Sequence, residues 1–186
     1  SADILHSYSA ERWAEAKRLV DTNHEWARIM SAPPGESELD SEEEPRFVRL
    51  FKENLEFTGG LAVKYGESAL TGRPVHQALA TGEEIGRRFH SAPVVRLADA
   101  KPMQLGHVAE ADARWRIYAF AGKNDGSAPG SAIHRLADWL QNDSSSPVVR
   151  FTRKDEDIDA LIDLRVVFQQ TFDALAYEDM PTLLRP

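Results

Sequence analysis

Between Ser9 and Met30 apolar side chains recur at Trp13, Ala16, Leu19, Val20, Trp26, Ala27, Ile29 and Met30, with Glu11, Glu15, Lys17, Arg18 and Arg28 between them. A spacing of about 3.6 predicts a long amphipathic helix whose two tryptophans need an apolar surface to cover them. Ser9 is the expected N-cap, Glu11 suits the first turn, and Pro33-Pro34-Gly35 forbids continuation beyond Ala32. From Glu36 to Glu44 there are six carboxylates and no cation. That stretch reads as a solvated, self-repelling loop rather than a calcium site, because the glycine-centred spacing of such a site is missing. Pro45 suits the first turn of a second helix, whose apolar face is Phe47, Leu50, Phe51 and Leu55 and whose stop is Gly59-Gly60. The run Leu61 to Tyr65 reads as a strand or extended arm.

Residues Gly66 to Ser91 lack periodicity and carry five glycines and prolines, at 66, 72, 74, 82 and 86, which predicts a long irregular connection. A domain boundary is expected near Gly72 to Gly86, dividing the chain into a helical segment with its arm, 1–80, and a sheet-bearing domain, 81–186. Beyond it Val94 to Leu97 reads as a strand, Asp99-Ala100-Lys101-Pro102 as a turn and Gln104 to Val108 as a second strand. Arg114 to Gly122 is the clearest strand: it alternates at first and then becomes continuously apolar. Trp115, Ile117 or Tyr118, and Phe120 are accordingly expected in the core, with Phe120→Ala costing about 3 to 5 kcal/mol. Ser131 to Gln141 predicts a helix with Ile133, Leu136, Ala137 and Leu140 on one face. Val148 to Phe151 then reads as a third strand, and strand, helix, strand predicts a right-handed crossover and a locally parallel sheet. Asp155 to Leu164 is read as a helix and Leu164 to Phe168 as a further strand.

Charge and composition narrow the chemistry. Among 186 residues 30 are acidic and 22 basic, a net charge of -8, which disfavours nucleic acid as a partner. Cysteine is absent, excluding disulfides, thiolate metal sites and a cysteine nucleophile together. No apolar run suits a membrane span and no signal peptide pattern opens the chain, so a cytoplasmic location is expected. The histidines at 6, 24, 76, 90, 107 and 134 form no HExxH and no i, i+4 pair, and no metal site is predicted. His24 and His134 are expected to be solvated or locally hydrogen-bonded. Gly130-Ser131 lacks the second glycine of a nucleophile elbow, and neither GxGxxG nor GxxxxGK[ST] occurs. Lys64 and Arg87-Arg88 read as solvated or paired cations. Asp99, Asp112 and Asp125 read as turn residues bonding amides two positions on. The residues alone give an α/β domain with a helical N-terminal extension and no catalytic, cofactor-binding or metal-binding residue.

Several stretches resemble the C-terminal part of the flavin-dependent aromatic hydroxylases, the phenol 2-monooxygenase and 3-hydroxybenzoate 4-monooxygenase group. Tyr8-Ser9-Ala10-Glu11-Arg12 resembles that family's Tyr-x-x-Glu-Arg stretch. Phe57-Thr58-Gly59-Gly60, with Tyr65 and Ser68, resembles the segment leading out of its catalytic region. Ala92 to Asp99 and Arg114 to Gly122 are similar to the opening of its thioredoxin-like third domain, and Tyr177 to Leu184 to the run before that domain's closing segment. The resemblance implies a non-redox thioredoxin-like domain, truncated at its C-terminus and preceded by helices of the flavin and substrate region. It further implies a parent monooxygenase that uses FAD and NADPH to hydroxylate a phenolic ring, with this region serving dimerisation and binding no flavin itself. The flavin motifs and catalytic residues of the family would lie before Ser1. The alternative is an independent, non-redox thioredoxin-like module whose helical arm and acidic loop engage a partner protein. On either reading the wide apolar face of the first helix, with Trp13, Leu19, Val20, Trp26 and Met30, is expected to be covered by another domain, by the second helix or by a second copy.

Overall fold

A 29-residue helix, α1 (Ala2–Met30), opens the chain in a computed structural model that describes residues 2–31, 46–123, 125 and 128–185. It begins seven positions ahead of the expected cap. Nothing between Ala2 and Tyr8 breaks a helix, and Ser9 lies in its interior with its hydroxyl donating to the Leu5 carbonyl at 3.4 Å. Pro33-Pro34-Gly35, the acidic run Glu36 to Glu44 and Pro45 lie outside the described residues. The second helix, α2 (Arg46–Thr58), ends at the expected glycines. Gly60 takes the left-handed φ of +70°, and the amides of Gly59, Gly60 and Leu61 return to the carbonyls of Leu55, Phe57 and Glu56. The two helices meet through Trp26 and Phe51, whose ring centroids are 6.1 Å apart, and through the Arg18 guanidinium, 4.2 Å above the Phe57 ring.

The chain divides into two compact units, residues 1–90 and 91–186. In the first, the stretch after α2 is irregular as expected. The run Leu61 to Tyr65 contributes only a single bridge, Lys64 to Arg87, in place of a strand. Residues Gln77–Leu79 form one 3-10 turn, and the Gln77 side chain ties the loop by donating to the Ala80 and Glu83 carbonyls and accepting from the Ile85 amide. Gly86 sits at φ +84°, where an added Cβ would lie 2.1 Å from the Tyr65 carbonyl oxygen. Only glycine fits this crossing.

The second unit contains two two-stranded sheets. In the first, β1 (Pro93–Arg96) pairs antiparallel with β2 (Lys101–Gln104) in the register Val94 to Met103 and Val95 to Pro102. The second strand thus starts where a turn was expected, and Leu105–Val108, read as strand, is a 3-10 turn. The turn falls at Leu97 to Ala100, two residues earlier than expected, with Ala100 at a positive φ of 55°. In the other sheet β3 (Trp115–Phe120) pairs in parallel with β4 (Ile162–Val167), Ile117 facing Leu164.

Between them runs α3 (Ala132–Asn142), capped by Ser131, whose hydroxyl accepts from the His134 amide. The expected third strand at Val148 to Phe151 is instead a short helix, α4 (Pro147–Phe151). Its β-branched pair is overruled by a strong start signal, Ser146 as N-cap and proline in the first turn. The helix read over Asp155 to Leu164 is also absent. Four of its five carboxylates, at 155, 156, 157 and 159, lie in turns, and Ile162 onward, with Asp163, is strand.

Ala137, Leu140, Val148, Ile162, Leu164 and Leu183 form the core, with Ile117 and Ala119 packed against it. One face of the β3–β4 pair therefore rests on α3. Trp115 and Phe120, expected in the core, are 59% and 58% exposed. Phe120 alternates with Ala119 and so lies on the other face, where it lines a groove, and Trp115 is the first residue of its strand. The result is an α/β domain with mixed helices and small sheets behind a helical extension. Among the described residues no helix is long and apolar enough to cross a membrane.

Candidate functional site

The uncovered side of the second unit is a groove of about 1480 Å³ between the β1–β2 hairpin and the β3–β4 pair. Val94, Met103, Leu105, Phe120, Val166 and Phe168 give it apolar walls. Phe172, Tyr177 and Met180, from the irregular segment after β4, complete it. Arg114, Arg116 and Arg165, which also line it, belong to a cluster of ions beside it. Asp112 Oδ2 accepts from Arg114 Nε at 2.8 Å and from Arg116 Nη2 at 2.6 Å, while its Oδ1 accepts from the Arg114 amide. Arg114 also reaches Asp159 at 3.2 Å. Asp163 Oδ2 accepts from Arg165 Nε at 2.7 Å and lies 3.6 Å from Arg116 Nε.

These three arginines and three aspartates balance in charge, and two of them are almost wholly buried, Arg116 and Asp163 at 9% and 6% side-chain exposure. The Arg114 amide, followed by the guanidinium of the same residue, holds the Asp112 carboxyl well below the usual carboxylate range. Arg116 and Asp163 are opposite one another in the parallel register, so the cluster pins β3 to β4 at one position. An already neutralised cluster of this kind presents no free cation for an anionic ligand. Its role is structural.

The other polar residues singled out in the sequence fall into equally local arrangements. Lys64 and Arg87 both pair with Glu84, which bridges the two ends of the loop. Asp99 accepts from the Lys101 amide and pairs bidentately with Arg96, which brings its carboxyl down to about 2. Asp112 likewise bonds the amide two residues on, whereas the amide two residues beyond Asp125 lies outside the described residues. His24 is exposed on α1. His134 Nε2 donates to the Asp179 carbonyl at 3.0 Å and Nδ1 lies 3.1 Å from the Ser131 hydroxyl, so this histidine ties α3 to the C-terminal segment. No group of three metal-ligating side chains comes together among the described residues. In the first unit Glu11 accepts from Ser68 at 2.5 Å and Arg12 donates to the Tyr65 hydroxyl at 2.9 Å, clamping α1 to the segment that follows α2.

Sequence reasoning missed both the groove and the ion cluster. Arg114 and Arg116 on one strand and Asp163 on another carry no motif, and only the register brings them together.

The neutral ion pin and the open groove are thus the main polar and apolar features of the second unit. Over residues 63–186 the chain matches the phenol hydroxylase C-terminal dimerisation domain, and it belongs to that family. Two curated relatives span nearly all of it. The 3-hydroxybenzoate 4-monooxygenase of Comamonas testosteroni is 46% identical over 184 residues, covering 99% of this chain and 29% of that protein. The FAD-dependent monooxygenase terD of Aspergillus terreus is 28% identical over 187 residues, covering 99% of this chain and 30% of that protein. The chain thus spans less than a third of the length of these relatives.

Proposed function

We propose that these residues are the dimerisation and structural region of a longer FAD-dependent, NADPH-using monooxygenase that places one atom of dioxygen on a phenolic ring. The match to a dimerisation family over residues 63–186 carries the associative part of this reading. The identity of 46% to a 3-hydroxybenzoate 4-monooxygenase supports the activity of the whole. The residues in hand do not fit a flavin or a nicotinamide cofactor: the sequence has no glycine-rich phosphate cradle, and the groove cations are already paired. Flavin binding and ring chemistry are therefore assigned to the remainder of the polypeptide, and no catalytic step is assigned to this region. Two electrons from NADPH would reduce the second oxygen atom to water.

The helical segment, 1–80, is assigned to the flavin and substrate region and residues 81–186 to a non-redox thioredoxin-like domain. Support for that fold is the β3–α3–β4 unit, parallel strands with a helix packed on one face. Support for the first assignment is that both long helices lie before residue 63, where the dimerisation family begins, residues 63–80 falling within that family. The exposed stripe of α1, with Leu5, Tyr8, Trp13, Leu19 and Met30, is then covered by the rest of the polypeptide. An absence of cysteine suits a cytoplasmic setting.

Two measurements test the reading. The purified 186-residue chain is expected to elute without yellow flavin and to scatter light as a dimer. The longer gene product is expected to oxidise NADPH in step with hydroxylation of a hydroxybenzoate, and a colourless, inert product would overturn the assignment.

A further inference from the structure

We infer that the outer edge of β4 is a self-pairing edge: two copies of this chain join by antiparallel pairing of Leu164 to Phe168 about a two-fold axis through Val166. The inference rests on the dimerisation reading above and gives it a surface.

The groove looks onto β4 from the side. Side chains of a strand alternate between faces, so a cavity lying on one face touches every second residue. On β3 this groove touches only Arg116 and Phe120, residues of one face, whereas on β4 it is lined by Leu164, Arg165, Val166 and Val167 in succession, so it lies on the uncovered face and wraps around the β4 edge. The hydrogen bonds agree. The carbonyls of Leu161 and Val167 accept from Trp115 and Ala121, both bonds directed toward β3. Backbone groups of successive strand residues point in opposite directions, so Ile162, Leu164 and Val166 turn their N–H and C=O away from β3. The sheet ends there, and among the described residues no further strand pairs with that edge.

Strand edges left open are usually guarded by proline, lysine or a bulge. Leu164-Arg165-Val166-Val167-Phe168 contains none of these and has one charge. That charge selects the register. An axis through Arg165 would set two guanidinium groups opposite each other, which is unfavourable. An axis through Val166 sets Arg165 against Val167 and Leu164 against Phe168 of the other copy, and its outward-facing groups meet in hydrogen-bonding positions.

A second copy is the occupant for two reasons. The dimerisation family covers residues 63–186, which contain the whole groove and exclude both long helices. An antiparallel pair also satisfies two-fold symmetry with a single strand, the isologous arrangement that most homodimers use. Phe120, Phe172 and Tyr177 on the groove walls, all substantially exposed, supply apolar surface for the second copy to cover.

The absence of cysteine makes the test direct. In V166C the two thiols flank the axis within disulfide reach, so mild oxidation is expected to yield a covalent dimer of twice the mass. W13C, on the exposed face of α1, is expected to give no such product. V166P removes the outward N–H of each copy while leaving the bonds to β3 in place. It is expected to weaken the dimer about tenfold or more, as loss of two hydrogen bonds implies, with an unchanged far-ultraviolet spectrum. Should V166P fail to fold, the V166C yield decides. A wild-type dimer that V166P leaves intact and V166C does not cross-link would overturn the edge while sparing the dimerisation reading. A wild-type monomer at tens of micromolar would overturn the dimerisation reading itself.

Discussion

Asp163 is the most consequential single residue of the second unit. Its carboxylate is buried, bonded to Arg165 and set 3.6 Å from Arg116, which Asp112 also holds. Asp163→Ala is expected to cost about 1 to 3 kcal/mol, because Arg165 loses its carboxylate and Arg116 Nε its nearest acceptor while Asp112 still holds Arg116. Urea unfolding followed by tryptophan fluorescence measures this, and a loss under about 1 kcal/mol would remove the pin from the account. Asp99 offers a different readout. Its pair with Arg96 lowers its carboxyl to about 2, so the folded state binds this proton less readily than the unfolded chain. Its contribution is present above the ordinary aspartate range and fades as the pH falls toward 2. Carboxyl resonances recorded against pH are expected to show Asp99 titrating near its lowered value in the wild type and in the ordinary range in Arg96→Ala.

For elements, the legible ones were those whose signal is local. The stop at Gly59-Gly60 and the face of α3 with Ile133, Ala137 and Leu140 could be read because caps and helical periodicity act within a few residues. Val148 to Phe151 misled because two β-branched residues outweighed Ser146 and Pro147 in the reading, whereas in the protein the cap and the first-turn proline decide. Phe120 differs from the expectation for another reason. A continuously apolar strand predicts cover on both faces, and here α3 covers one and the groove opens on the other.

The groove and the ion cluster had no sequence signal, since both depend on which residues the parallel register sets opposite. The substitutions follow: Leu140→Ala, at a side chain 1% exposed, is expected to cost about 2 to 5 kcal/mol, and Phe120→Ala under about 1 kcal/mol. Thermal melts of the two variants compare them directly, and equal losses would show that Phe120 is core after all.

The whole molecule pairs two units with different needs. The first exposes the long apolar stripe of α1, and the second exposes a strand edge within its groove. If the stripe is covered by the rest of a longer polypeptide, Trp13→Glu should leave the mass of the 186-residue dimer unchanged while lowering the soluble yield of the longer protein. Sedimentation of the one and expression of the other measure the two effects. A dimer lost on Trp13→Glu would move the association surface to the helix. Gly86 belongs at this scale as well, because its crossing with Tyr65 holds the segment where the dimerisation family begins.

The parallel register carries one more consequence, for how the chain is made. Trp115 must wait for Ile162, 47 positions later, before β3 has any strand to pair with. Loop closure over that distance is slow compared with forming a helix, so α3 is ready first and β3 last. During synthesis the sequence from Trp115 to Phe120 therefore leaves the ribosome as an apolar segment with no sheet to join. The synthesis of residues 121 to 167 is therefore the interval in which this segment is most open to pairing with the wrong chain.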